Sequence, residues 1–219
     1  MKLHSFFRSG TSHRLRIALN LKGVAYELDP VDLRRGEHQG AAYRAIHPQG
    51  LVPAVVLDDV EGTGRERVLI QSPAIIEWLE ERFPTPPLLP GNPEDRARVR
   101  ALAAIVGCDI HPVNNRRILE ALRRDFDASE PAVARWCATW IADGFDAIEA
   151  LLAADPLRGR FCFGDAPTLA DVYLVPQVES ARRFQVDLDR WPLIRQVDAA
   201  CARLEAFRAA SPAVQPDAG

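Results

Sequence analysis

The spacing of apolar positions changes period several times over the first eighty residues. "KLHSF" (Lys2 to Phe6) alternates apolar and polar, which predicts a strand. From Ser9 to Leu21 the spacing becomes helical, with Leu15, Ile17, Ala18, Leu19 and Leu21 apolar and Gly23 as a natural stop. "VAYELDPV" reads as a second strand, parallel to the first through that helix, which makes a βαβ unit. "RAIHPQG" is a short helix or turn. "LVPAVVLDD" is a third strand and "RVLIQ" a fourth. The polar, Gly-containing "DVEGTGRE" between them predicts an antiparallel hairpin. "SPAIIEWLEERF" is then a helix, with Ser72 as its N-cap and Pro73 in the first turn.

"PTPPLLPGNP" (Pro84 to Pro93) is too rich in proline to continue helix or sheet, so residues 84–93 read as a linker. Everything beyond it has helical spacing: Val99 to Val106, Val133 to Leu152, "TLADVYLVPQVESARRF" and "PLIRQVDAACARLEAF". The tail "SPAVQPDAG" reads as frayed. There is no internal repeat. The order β-α-β-α-β-β-α followed by helices predicts an α/β thioredoxin-like domain over 1–83 and an all-α domain over 94–219.

Composition narrows the class of partner. The chain has 219 residues, 47% hydrophobic and 26% charged, which suits a soluble protein with a sizeable core. Its net charge of -3 gives no reason to expect nucleic acid or an anionic membrane. Lysine occurs only at Lys2 and Lys22, so arginine carries nearly all the positive charge, and a planar guanidinium suits carboxylates. Cys108, Cys137, Cys162 and Cys201 show no metal-ligand spacing, and they read as buried free thiols in a reducing compartment. "MKLHSFFRSG" lacks the apolar core of a signal peptide, and no apolar run approaches the roughly 18 residues of a membrane span. A cytoplasmic location is expected, with no metal.

Candidate chemistry lies at the strand and helix junctions. Ser9, Thr11 and Ser12 stand where a strand gives way to a helix. There, free N–H groups favour an anion and the hydroxyls can add hydrogen bonds, lowering the pKa of a docked thiol. The same residues also read as a plain N-cap. Val52–Pro53 reads either as an edge-strand start or as a cis proline in a tight turn. Ser72 at its helix start offers a hydroxyl and N–H groups to a carboxylate. In "CDIHPVNNRRILEALRR", His111 and Asn115 are four apart and would face one way on a helix kinked or turned at Pro112. That stretch is either a solvated face or a polar pocket wall turned toward the first domain, which only one of Arg116 and Arg117 would reach. Arg182 and Arg183 pose the same choice. "APTLAD" places Thr168 and Asp171 as a capping box, a structural feature.

The layout, with "RSGTSHRLRIAL", "LVPAVVL", "QSPAIIEWLEE" and "PTLADVYLVPQ", resembles the zeta-class glutathione transferases over essentially the whole chain. The likeness is greatest to the glutathione-dependent maleylpyruvate and maleylacetoacetate isomerases. The class motif S-S-C-x-W-R-V-R-I-A-L stands here as Ser9-Gly10-Thr11-Ser12-His13-Arg14-Leu15-Arg16-Ile17-Ala18-Leu19, with Thr11 in the cysteine position and His13 in the tryptophan position. The resemblance implies glutathione as cofactor, with its sulfur at Ser9 to Ser12, stabilised by Thr11 or, alternatively, Ser9. It implies a cis Pro53 that leaves the Val52 backbone to pair with the cysteinyl part, and Gln71 and Ser72 on the γ-glutamyl end. Gln49 and His38 are placed on the glycyl side, although His38 reads equally as a solvated loop residue. His111 and Asn115 resemble positions on the glutathione-binding, dimer-facing side, and Arg116 is grouped with them. A homodimer is implied too.

The implied reaction converts maleylpyruvate to fumarylpyruvate in aromatic (gentisate-type) catabolism, by thiolate conjugate addition, bond rotation and elimination. A dicarboxylate diketo acid and its developing enolate need cationic clamps. Arg8 beside the thiolate site is the first candidate, with Arg117 and Arg183 from the helical domain. Arg14 and Arg16 lie within the helix and are expected to be structural, interdomain or surface residues. Three other readings stay open: a maleylacetoacetate isomerase of tyrosine catabolism, a general conjugating transferase, and a non-catalytic glutathione-binding protein.

Overall fold

The computed structural model describes residues 1–58 and 67–218. The expected turn at Asp59 to Glu66 lies outside them. By its internal packing the chain divides into Met1–Pro87 with Leu204–Gly219, and Leu88–Arg203. The tail assigned above to the helical domain therefore belongs with the first unit.

The first unit carries β1 (Lys2–Ser5), α1 (Gly10–Leu21), β2 (Glu27–Pro30), α2 (Ala41–Ile46), β3 (Ala54–Leu57), β4 (Arg67–Ile70) and α3 (Ser72–Arg82). The strands run in the order β2-β1-β3-β4. β1 pairs parallel with β2 and antiparallel with β3, and β3 pairs antiparallel with β4. This is the βαβαββα order that the periodicity predicts. The register sets Leu3 opposite Val55 and Lys2 opposite Val56; Leu3 and Val55 are core residues, and His4 and Ser5 are buried as well.

α1 departs from a simple amphipathic stripe, because Ser12 through Leu19 are all buried. It packs against α3 on one side and against the short α9 (Glu205–Arg208) on another. Arg14 and Arg16 are consequently interior residues, not surface ones. Arg16 is satisfied by Ser5 Oγ (3.0 Å), Phe7 O (2.9 Å) and Ala210 O (3.0 Å). Burial lowers its pKa to about 10, so it stays charged near neutrality. Lys22 closes the other end of α1, donating to Glu80, Phe83 O (2.7 Å) and Pro86 O (2.6 Å).

The tail is packed, not frayed. Within residues 211–218, Gln215 is buried, its Nε2 donates to Ala209 O and Ser211 O, and Asp217 accepts from Phe7 N (2.8 Å). Hydrogen bonds, both within this polar stretch and from Phe7 at the other end of the chain, replace the apolar pattern that sequence reading looks for.

The second unit contains α4 (Pro93–Ala104), α5 (Arg116–Phe126), α6 (Glu130–Ala154), α7 (Leu169–Arg183) and α8 (Pro192–Cys201). α4 widens into one π-helical stretch over Ile105–Ile110. α6 packs against that stretch at Gly144, where a Cβ would lie 2.3 Å from Ile110 Cδ1. The capping box of α7 is present: the Asp171 carboxylate accepts from Thr168 N (2.7 Å), Thr168 Oγ1 (2.9 Å) and Cys162 N (2.9 Å). Of the four free cysteines, Cys137, Cys162 and Cys201 are buried, whereas Cys108 is exposed on the π-helical stretch.

Candidate active site

β1 ends at Ser5 and α1 begins at Gly10, so Phe6 to Ser9 form the turn between them. Ser9 is the N-cap, in extended conformation, and its Oγ accepts from Ser12 N (3.3 Å). Thr11 Oγ1 donates to Val52 O at 2.9 Å, and it lies 2.9 Å from Ser9 Oγ. Each hydroxyl has one proton. Since Thr11 gives its proton to Val52, Ser9 must donate to Thr11. The result is a short relay, Ser12 N–H to Ser9 to Thr11 to the Val52 carbonyl, across the start of a helix whose first turn holds no acidic residue. The Val52–Pro53 peptide is cis. Arg8 is exposed, with its guanidinium 5.6 Å from the Phe7 ring centre.

A second helix start lies in the same unit. Gln71, not Ser72, is the N-cap of α3, and Ser72 is the first helical residue. Gln71 has φ 68 and ψ 110, a backbone region a non-glycine residue enters at a cost of about 1–3 kcal/mol. No side chain caps α3, and its first turn contains no acid. Its N–H groups therefore remain available to an anion. Ser72 Oγ accepts from Arg14 Nη1 at 3.4 Å, and Gln71 Nε2 donates to Gln49 Oε1 at 2.6 Å. Arg14 is the contributor that sequence reading missed; its burial comes from the packing of α1, which no local pattern signals. Gly50, next to Gln49, approaches the His38 backbone. It has φ +61, and a Cβ there would meet His38 O at 2.6 Å.

His13, in the middle of these cations, is 4% exposed, and its Nε2 has no hydrogen-bond partner among the described residues. Burial first, then the charges of Arg16 and Arg14, drop its pKa to about 3. It is neutral at physiological pH.

The second unit holds the remaining candidates. His111 follows the π-helical stretch, and its N–H donates to Val106 O (2.9 Å). A turn separates it from Asn115, which is the N-cap of α5 and accepts from Arg117 N (3.2 Å). The two therefore do not share a helix face: Pro112 ends the helix rather than kinking it. Arg116 pairs with Glu120 (2.5 Å), and Arg117 is exposed. Arg182 is held by Asp198 and Glu179. Arg183 lies over the Phe184 ring at 4.9 Å and donates to Ser180 Oγ (3.3 Å).

Two acid-free helix starts, one edged by hydroxyls and one uncapped, suit a thiol or thiolate and a carboxylate respectively. That donor set fits glutathione, which carries both groups. Comparison with known proteins agrees. The model of the glutathione S-transferase N-terminal domain matches residues 8–82, and that of the C-terminal domain matches 112–215. The chain belongs to the glutathione S-transferase family. A maleylpyruvate isomerase of Ralstonia sp is 68% identical over 217 residues, 99% of each chain. The solved holo structure of a maleyl pyruvate isomerase, described as a bacterial zeta-class glutathione S-transferase, is 67% identical. It matches with a TM-score of 0.95 over 100% of both chains. A maleylacetoacetate isomerase from Anaeromyxobacter dehalogenans, solved with dicarboxyethyl glutathione and citrate in its active site, is 45% identical. Its TM-score is 0.87, over 100% of this chain and 93% of that one. Among the described residues no helix is long and apolar enough to cross a membrane, and no cluster of side chains is placed to hold a metal ion.

Proposed function

We propose that this chain is a glutathione-dependent cis–trans isomerase that converts maleylpyruvate to fumarylpyruvate. The observation that carries the reading is the Ser9–Thr11–Val52 hydroxyl relay at the acid-free start of α1, next to Arg8. Bound glutathione would supply a thiolate whose reversible addition to the cis double bond leaves a single bond free to rotate. Thr11 is assigned to stabilise the sulfur, with Ser9 as alternative. A hydroxyl that stabilises a thiolate must donate to it, so Thr11 would turn its proton away from Val52 O, and that carbonyl would be released to the ligand's backbone. Ser72 and Gln71 at the uncapped start of α3 are assigned to the γ-glutamyl carboxylate. Gln49 and His38 are assigned to the other end.

Arg8 is assigned to the substrate carboxylates from the first unit, and Arg117 and Arg183 are the corresponding residues of the second. His111, Asn115 and Arg116 stay assigned to glutathione. Homodimeric assembly and a cytoplasmic location belong to the same proposal; three buried free thiols suit a reducing compartment. A preference for maleylacetoacetate is the second reading, because a relative 45% identical carries that name. The test is loss of diketo-acid absorbance with each substrate, with and without glutathione. Turnover that needs glutathione and is faster with maleylpyruvate is expected. Retention on immobilised glutathione with no turnover of either acid would refute the proposal.

A further inference from the structure

The turn that carries Arg8 and Ser9 is held by the far end of the chain. Phe7 N–H donates to Asp217 Oδ2 at 2.8 Å, across 210 positions of sequence. The Phe7 carbonyl accepts from Arg16 Nη2 at 2.9 Å. Both peptide groups of Phe7 thus end on charged partners, and such bonds are stronger than those between neutral groups. The next link is direct, since Ser9 N donates to Phe6 O at 3.0 Å. Any displacement of Phe7 is passed within two residues to the N-cap hydroxyl. Arg34 lies on the same spot, its guanidinium 5.8 Å from the Phe6 ring and 5.6 Å from that of Phe7.

The tail can bear this load because it is itself fixed. Arg16 Nε bonds Ala210 O, and Gln215 Nε2 ties the chain to Ala209 O and Ser211 O, both at 2.9 Å. The Asp217 charge also favours the charged form of Arg16, opposing the effect of its burial. Arg16 and Asp217 therefore hold one residue by the two peptide groups that flank it, and their charges support each other.

We propose that Asp217 is a positioning residue that acts through Phe7 to set the Arg8–Thr11 segment, and with it the hydroxyls offered to the cofactor sulfur. This rests on the reading of that segment as the thiolate site. The test uses the full chain with Asp217→Ala and Asp217→Asn, at saturating glutathione. Asp217→Ala should lower kcat by about tenfold to a hundredfold, the upper figure being what a misplacement of about 1 Å can cost. It should change substrate KM less than kcat, and raise the pH at which the bound thiol gains thiolate absorbance. Asp217→Asn should recover most of both, because its amide oxygen can accept the same bond. Wild-type kcat and thiol titration in Asp217→Ala overturn the proposal, whatever happens to Tm, and so does an Asp217→Asn variant as impaired as Asp217→Ala. Amide exchange at Phe7 and Ser9, measured without glutathione, separates this from the functional reading. A wild-type chain that lacks turnover sinks that reading alone, while unchanged exchange in Asp217→Ala sinks the role of Asp217.

Discussion

His13 makes the stability of the first unit sensitive to acid in a calculable way. In the folded chain its imidazole takes up a proton only near pH 3, whereas in the unfolded chain it does so near 6.5. Between those values the unfolded state binds a proton that the folded state refuses, so acid favours unfolding. The contribution is fully present above pH 6.5 and is lost as pH falls toward 3. At about 1.4 kcal/mol per pH unit, lowering pH from 7 to 5 should remove about 2 kcal/mol through this residue. The total at still lower pH approaches about 5 kcal/mol. In a chain of this size 2 kcal/mol corresponds to about 4–8 °C in Tm. His13→Met conserves volume and cannot titrate, so it should fold at pH 7 and lose about 2 kcal/mol less than wild type on acidification to pH 5. Urea unfolding followed by tryptophan fluorescence at both pH values measures the difference. His47, whose pKa is also lowered by burial, titrates in both proteins and cancels. Equal losses in variant and wild type, within about 0.5 kcal/mol, would mean that His13 is not held neutral by the fold.

Two further outcomes test the second unit. Asp171→Ala leaves the buried Thr168 and Cys162 N–H groups without their acceptor, and it should lower stability by about 2–5 kcal/mol in urea unfolding. A loss under about 1 kcal/mol would show that other acceptors replace the carboxylate. Gly144→Ala drives a methyl group to 2.3 Å from the Cδ1 of buried Ile110, so that side chain, α6 or the π-helical stretch must shift. A loss of about 1–3 kcal/mol is expected, and an unchanged Tm would refute the close packing.

The element order of the first unit was legible because each strand and helix carries its own period, and the capping box of α7 because its partners lie three residues apart. The resemblance of "RSGTSHRLRIAL", "LVPAVVL" and "QSPAIIEWLEE" to the zeta class points to Ser9 and Thr11, to Val52, and to Gln71 and Ser72 respectively. It did not show that Thr11 already spends its proton on Val52, because that bond joins residues 41 apart. Nor did local pattern separate Ser72 from Gln71 as the cap: a positive φ at Gln71 is imposed from outside the segment.

Short-range chemistry, then, is what the sequence determined by itself: periods, caps, breakers, the shortage of lysine and the choice of hydroxyl in place of thiol at position 11. Tertiary structure alone decided the fate of the buried charges and of the tail. Arg14 and Arg16 look like surface residues in a helical pattern, and they are interior because α3 and α9 pack on α1 and Ser5, Phe7, Ser72 and Ala210 receive the two guanidinium groups. The tail looks frayed because it lacks an apolar period, and it is ordered because Phe7 bonds Asp217 from 210 residues away while Arg16 and Asn20 fix Ala210 and Ala206 just before it. Such bonds leave no local signature, since each partner is chosen by the fold and not by its neighbours in the chain.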